Sequence, residues 1–269
     1  MKKYTRILTI AGSDSGGGAG IQADIKTFSA LGCYGMSVIT ALTAQNTQGV
    51  TGIYSVEPEF VKAQINAVLS DIGADAVKIG MLSTPEVIKI VAATMQEYKI
   101  KKIVLDPVMV AKSGDKLLQD NAIEAIIEHL FPIASIITPN LSETQILTGL
   151  TIMTRDDMLK AGQKLLSLGC KSAIVKGSFF RDDLLPDLFI CQDSGHMWLE
   201  FDRIDTINNH GTGCTLSSAI AAYMGLGNSV LESVKLAKKY ITEAIASGAK
   251  YKLGKGKSPV NHFYNLWNK

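Results

Sequence analysis

Cys214 follows a glycine turn, Gly211-Thr212-Gly213, and opens a run of small and apolar residues in the stretch NNHGTGCTLSSAIAAYMGLG, Asn208 to Gly227. The first N–H groups of a helix lack intrahelical partners, and the helix dipole favours negative charge there. Glycines let the preceding turn curve into a concave nest of amides. Gly211, Gly213 and Cys214 are therefore expected to form an anion site able to hold a transferring phosphoryl group. A thiol at a helix N-terminus is expected to have a lowered pKa and to accept a proton. Tight packing of a small-residue helix is the alternative.

Other polar residues stand where strands are expected to end. In VLDPVMVAKSG, Asp106 closes a buried run, and a buried carboxylate is costly unless paired or bound to metal. In ITPNLSET, Asn140 and Glu143 have the spacing of a helix cap, and the same groups suit a hydrated Mg²⁺. The two readings are compatible. Lys176, in VKGS, stands at another expected strand end and is available for phosphate charge. Gln45, in ALTAQNTQG, either reads a heteroaromatic edge with its amide or belongs to a Gln-Asn turn. Met81, in KIGML, lines a pocket or belongs to the core.

The glycine-rich stretch AGSDSGGGAG, Ala11 to Gly20, has neither the Lys-Ser/Thr of a Walker A loop nor a GxGxxG trio. It offers bare backbone for close approach of a ligand. Asp24, just beyond it, is a first-turn acid or a ligand acceptor.

Positioning these residues requires an alternation of strands and helices. Arg6–Gly12, Met36–Gln45, Gly49–Glu57, Asp75–Gly80, Lys101–Val108, Ala134–Asn140 and Ser172–Gly177 are expected strands. Helices are expected over Ala19–Gly32, with Ile21, Ile25, Phe28 and Leu31 inward, and over Pro58–Gly73, Pro85–Tyr98, Asp120–Pro132, Leu141–Gly149 and Asp157–Gly169. Asp187–Ile204 reads as a β-hairpin turning at Asp193-Ser194-Gly195. Such alternation predicts an α/β fold: a mostly parallel central sheet with helices on both faces and a small hairpin insert. No linker is visible, so a single domain over 1–269 is expected.

The 269 residues are 46% hydrophobic and 19% charged, with a formal net charge of +2. This balance makes no case for a nucleic-acid or membrane surface. Four scattered cysteines without a CxxC pair suit a reducing cytosol. No signal peptide or membrane span is expected, which points to a cytoplasmic protein.

Taken in order, AGSDSGGGAGIQADIKTFSALGCYGMSVITALTAQNTQGV, KIGML, DPVMVAKSG, TPNLSE, VKG and HGTGCTLSSAIAA resemble the hydroxymethylpyrimidine/phosphomethylpyrimidine kinase family of the ribokinase superfamily. The likeness runs from about Ile7 to Tyr264. It implies a ribokinase-like fold, a homodimer, and ATP-Mg²⁺ serving two successive phosphorylations of an aminopyrimidine alcohol in thiamine synthesis. By motif match, Gln45 would read the pyrimidine edge, Gly12, Ala19 and Asp24 would position it, and Met81 and Val108 would line its ring. Asp106 and Glu143 would organise Mg²⁺ through water. Asn140, Lys176 and Thr212 would contact ATP, and Cys214 falls where related sugar kinases carry an aspartate base.

A pyridoxal-kinase branch is similar but carries a second cysteine after DPVM, where this chain reads Val110-Ala111-Lys112. Pyridoxal or pyridoxine phosphorylation is therefore the alternative activity. A Cys214–His210 acyl-transfer pair and a silent nucleotide sensor are weaker readings. The stretch Val110–Leu117 is a candidate lid, and His129 and His262 are given no role.

Overall fold

The computed structural model describes residues 2–109, 121–177 and 184–267. Its strands are β1 (Arg6–Asp14), β2 (Tyr34–Gln45), β3 (Val50–Ser55), β4 (Ala76–Ile79), β5 (Ile103–Leu105), β6 (Ile136–Ile137), β7 (Ser172–Val175), β8 (Leu184–Cys191) and β9 (Gly195–Asp202). The helices are α1 (Gly20–Ala30), α2 (Pro58–Asp71), α3 (Pro85–Glu97), α4 (Asn121–Ala125), α5 (Leu141–Thr148), α6 (Arg155–Ser167), α7 (Thr212–Gly225) and α8 (Val230–Gly248).

All nine strands join one sheet in the order β3-β2-β1-β4-β5-β6-β7-β8-β9. From β2 to β7 neighbouring strands are parallel. The strands β4, β5 and β7 read AVKI, IVL and SAIV, and every residue in them is buried. Near-continuous burial follows from covering both faces of a parallel sheet. The edges are antiparallel: β3 flanks β2, and the β8–β9 hairpin flanks β7. The hairpin turns at residues 192–194, one residue earlier than its sequence suggests.

Two apolar layers sandwich the sheet. One contains Val61, Ile88, Ala122, Leu147 and Leu165, from α2 to α6. The other contains Phe28, Ile220 and Ile241, from α1, α7 and α8. Helix α8 has no counterpart among the expected elements, although Val234, Ala237, Ile241 and Ala244 trace its buried stripe. The expected Asp120–Pro132 helix divides into α4 and a π-helical turn, Ile126–Leu130.

Helix α1 turns a different face inward than its apolar residues alone imply. Ile21, Ala23, Asp24, Thr27 and Phe28 are buried, whereas Ile25 and Leu31 are only half-buried. Buried Asp24 has three hydrogen-bonding partners, which offset its desolvation.

Strand order reverses at β1, which has β2 on one side and β4 on the other. In open α/β sheets this reversal leaves a crevice beyond the carboxyl ends of the strands. The β1–β2 register also shifts between Ala11 and Ser13, so the irregularity lies at Gly12. Irregularities of this kind re-aim the chain beside a crevice.

Candidate active site

The loop after β1 is organised by Asp14. Its Oδ1 accepts the N–H of Gly16 (2.8 Å); its Oδ2 accepts those of Gly18 (3.0 Å) and Ala19 (2.8 Å). His210 Nε2 lies 2.9 Å from the same Oδ2. Burial alone would raise the Asp14 pKa, but His210 and the Ala19 and Gly16 amides hold it below the ordinary carboxylate value. Asp14 thus occupies the amides of Gly16, Gly18 and Ala19, while the loop's backbone lines the neighbouring cavity at Gly12, Ala19 and Gly20. Gly18 permits a close approach, because a side chain there would strike the His210 ring.

Beyond this loop lies a cavity of about 160 Å³. Gly12, Ala19, Gln45, Met81 and Val108 all line it, as their motifs implied. Gly12 leaves room for Met81, whose Cε would be 2.6 Å from an added Cβ. Met81 is thus both buried and a cavity wall.

Asp24 is not among the lining residues. Its Oδ1 accepts from Ser218 Oγ (2.6 Å) and Lys78 Nζ (3.1 Å), and its Oδ2 from Thr9 Oγ1 (2.6 Å) and Lys78 Nζ (2.9 Å). A direct ligand contact is replaced by an indirect one, because Lys78 does line the cavity. Burial alone would lower the Lys78 pKa, but the charge and hydrogen bond of Asp24, together with Cys214 and Asp106, outweigh it and hold the ammonium above the usual lysine range. No motif in the sequence singles out Lys78. Its signal was a lone lysine inside the buried run AVKIG.

Asp106, Lys176, Asn140 and Glu143 meet on the opposite wall. Lys176 Nζ is 3.4 Å from Asp106 Oδ1, which also accepts from Thr138 Oγ1, while Ser217 Oγ donates to Oδ2. Burial would raise the Asp106 pKa, but Lys176 and Lys78 overcome it and keep the carboxylate below its ordinary range. Asn140 and Glu143 form the capping box expected at α5: Asn140 Oδ1 accepts from Glu143 N (2.9 Å), and Glu143 Oε2 from Asn140 N (2.7 Å). Burial pushes the Glu143 pKa up to about 7, against the pull of Lys176. Asp187 steadies this wall by accepting from Gly177 N (2.9 Å) and pairing with Lys238 Nζ of α8 (2.6 Å).

The glycine turn enters from the other face. Gly211 caps α7 with φ +79°, and a Cβ there would collide with the Gly18 carbonyl oxygen. Thr215 Oγ1 holds the Gly211 carbonyl (2.8 Å) and contacts buried His262 Nε2 (3.1 Å). Gly211, Gly213 and Cys214 line the cavity, whereas Thr212 does not. No acceptor takes the N–H groups of Gly213 and Cys214 among the described residues. A Cβ on Gly213 would lie 3.6 Å from Lys176 Nζ and 3.7 Å from Asp106 Oδ2, so the turn faces the charged wall.

The expected low Cys214 pKa is overturned. Burial pushes the thiol up to about 11, although Lys78 and the Gly20 N–H pull the other way. Desolvation of a thiolate outweighs the helix end here. The acyl-transfer pair also finds no support: His210 Nε2 is engaged by Asp14, and nothing joins it to Cys214 among the described residues. The candidate lid at 110–117, including Lys112, lies outside the described residues.

The model of a family described as phosphomethylpyrimidine kinase matches residues 14–261. A hydroxymethylpyrimidine/phosphomethylpyrimidine kinase of Rhizobium meliloti is 48% identical over 261 residues, covering 97% of both chains. The crystal structure of phosphomethylpyrimidine kinase from Clostridium difficile 630 is 47% identical; the match covers 89% of this chain and 99% of that one, with a TM-score of 0.79. An ADP complex of Bacillus subtilis pyridoxal kinase is 36% identical over 99% of this chain and 100% of its own, with a TM-score of 0.91. Backbone shape is thus shared across kinases with different substrates, while residue identity is higher with the pyrimidine kinases. With its ribokinase-like sheet and a match spanning nearly its full length, the chain is a phosphotransferase that belongs to the phosphomethylpyrimidine kinase family.

Proposed function

We propose that the chain transfers the γ-phosphoryl group of ATP to the hydroxymethyl group of 4-amino-5-hydroxymethyl-2-methylpyrimidine, and then phosphorylates the monophosphate to the diphosphate in thiamine biosynthesis. The observation that carries this reading is one cavity lined by an amide, Gln45, by Gly211, Gly213 and Cys214 of the helix start, and by a charged wall, Asp106, Lys176 and Glu143. The names of the relatives agree with it. Gly12 and Ala19 position the ring, and Met81 and Val108 cover its faces. Asp24 acts through Lys78. Asn140 and Thr212 serve the ATP side with Lys176, whose charge meets the phosphates.

The donor set fits Mg²⁺ held through water. Among the described residues no group of three or more His, Cys, Asp or Glu side chains could hold a metal ion directly. Asp106 and Glu143 already accept several protein hydrogen bonds. Mg²⁺ keeps much of its hydration shell and needs only one or two carboxylates with the phosphates. Bound there, it would supply charge neutralisation at the transferring group.

Phosphoryl transfer through a loose transition state depends chiefly on positioning and charge. The amides of Gly213 and Cys214 hold the migrating group, and Lys176 neutralises it. The form of Cys214 that takes up the alcohol's proton is the thiolate. With a pKa of about 11, that form is scarce near neutral pH, and Lys78 and Gly20 N–H favour it. The exposed apolar residues Leu42, Ile53 and Tyr54 on β2 and β3 supply a surface for a homodimer. Cytoplasmic placement accords with the absence, among the described residues, of a helix long and apolar enough to span a membrane.

The test is ADP release with the hydroxymethylpyrimidine, its monophosphate, pyridoxal and pyridoxine, with product mass read in parallel. Faster release with the pyrimidine and products one and two phosphates heavier are expected. Preference for pyridoxal would replace this reading with vitamin B6 phosphorylation, which the close backbone match to the pyridoxal kinase favours as the second reading.

A further inference from the structure

We propose that His210 and Asp14 fix the orientation of the Gln45 amide, and so set the order of hydrogen-bond donor and acceptor that the cavity presents to its substrate. The inference deepens the reading of Gln45 as the residue that meets the ring edge, and rests on it.

The available protons decide how the amide lies. Asp14 accepts from two amides at Oδ2 and one at Oδ1, and an ionised carboxylate can only accept. His210 Nε2, 2.9 Å from Oδ2, therefore bears a proton directed at Asp14. It cannot also accept from Gln45. Thr43 Oγ1 stands 2.8 Å from the carbonyl oxygen of Ser13, which takes its single proton. The hydroxyl can then only accept from its second neighbour.

The Gln45 amide lies between these two groups. With Nε2 at 3.5 Å from His210 Nε2 and Oε1 at 3.1 Å from Thr43 Oγ1, donor would face donor and acceptor would face acceptor. The two ends of an amide are nearly isosteric, and their partners decide which is which. Half a turn about the last side-chain bond removes both conflicts: the NH₂ group donates to Thr43 Oγ1, and the carbonyl oxygen faces the His210 N–H as the longer arm of a three-centre bond whose shorter arm goes to Asp14. The amide keeps one N–H and one lone pair for the cavity, in a fixed order. An aminopyrimidine edge, with an amine beside a ring nitrogen, matches such a pair in one orientation. A pyridine edge lacks that adjacent pair.

His210 is held for this task from outside the site. Its backbone N–H donates to the Ser258 carbonyl (3.3 Å), and its ring lies against Gly18. It is a positioning residue acting through Gln45.

Two measurements test the proposal. ¹⁵N NMR of the imidazoles, with His210 assigned by its loss in His210→Leu, is expected to show a proton on Nε2; a ring protonated on Nδ1 alone would overturn the inference. The second is a double-mutant cycle on selectivity, the kcat/KM ratio for hydroxymethylpyrimidine over pyridoxal, with His210→Leu, Gln45→Leu and both together. Each single change should lower selectivity roughly tenfold, mostly through KM, and the double should fall little below Gln45→Leu alone. Independent, additive losses refute action through Gln45. If His210→Leu does not fold, Thr43→Val takes its place in the cycle and wild-type assignments serve the NMR. A wild-type protein inactive on the pyrimidine would sink the substrate reading, and the tautomer would still decide whether His210 and Asp14 orient the amide.

Discussion

The chain has two glycine-rich segments beside the same cavity, and they use their amides in opposite ways. Between Asp14 and Gly20 the amides of Gly16, Gly18 and Ala19 converge on the Asp14 carboxylate of the same loop. Between Gly211 and Cys214 no acidic side chain lies within the turn, and among the described residues the amides of Gly213 and Cys214 have no acceptor, while Gly213 itself faces Lys176 and Asp106. Glycine content thus signals backbone freedom. Whether that freedom serves a ligand depends on an acceptor already being present. The first segment is a structural brace around a buried anion, and the second is the one suited to a phosphoryl group.

The strongest way to break this contrast is Cys214→Ala. Turnover should fall on the order of 10³-fold while the KM for ATP stays near normal, as expected for loss of a proton acceptor. In the wild-type protein kcat should climb as pH rises toward the thiol's pKa of about 11, and the variant's profile should be flat. A variant with wild-type turnover removes the thiol from the mechanism.

Gly213→Ala comes next. The added methyl group makes only ordinary contacts with Lys176 and Asp106, and alanine favours a helix by about 1 kcal/mol over glycine. Thermal stability should hold or rise while kcat drops on the order of 10²-fold, because the methyl stands before the open amides. Unchanged kcat would mean that the turn holds no transferring group.

For the first segment the expected loss is in stability. Asp14→Asn weakens several charge-assisted bonds and should cost about 2 kcal/mol in urea unfolding. Because the folded-state pKa of Asp14 is lowered, its contribution is complete above pH 3.8 and is lost as pH falls through the folded value. The variant should accordingly show a shallower acid limb. An equal loss of stability at pH 7 and pH 2 would contradict the brace.

The smallest effect sharpens the charged wall. Glu143 rises from 4.5 to about 7 on folding, so its contribution to stability is fully present below pH 4.5 and is lost as pH rises through about 7. Glu143→Gln should remove a slope approaching 1.4 kcal/mol per pH unit in that window, measured without divalent ions. Identical slopes would show that Glu143 titrates like an exposed carboxylate.

Much of this arrangement is local, and so legible from sequence. The alternation of buried runs with longer amphipathic ones predicted the sheet, its two helical layers and the hairpin. The Asn140–Glu143 capping box joins residues three positions apart, and the sequence offers it beside the metal reading. Gly12, Gln45, Met81, Asp106 and Lys176 were placed at strand ends, and in a parallel sheet those ends converge. What only the tertiary structure decided is which charges meet. Asp14 finds His210 across 196 positions, Asp24 finds Lys78 across 54 and Ser218 across 194, and Asp106 finds Ser217 across 111. Nothing in the types or spacing of these residues specifies such partners. The inversion of the Cys214 pKa has the same origin: a helix end favours a thiolate by local geometry, whereas desolvation depends on everything packed around the sulfur, and here burial prevails.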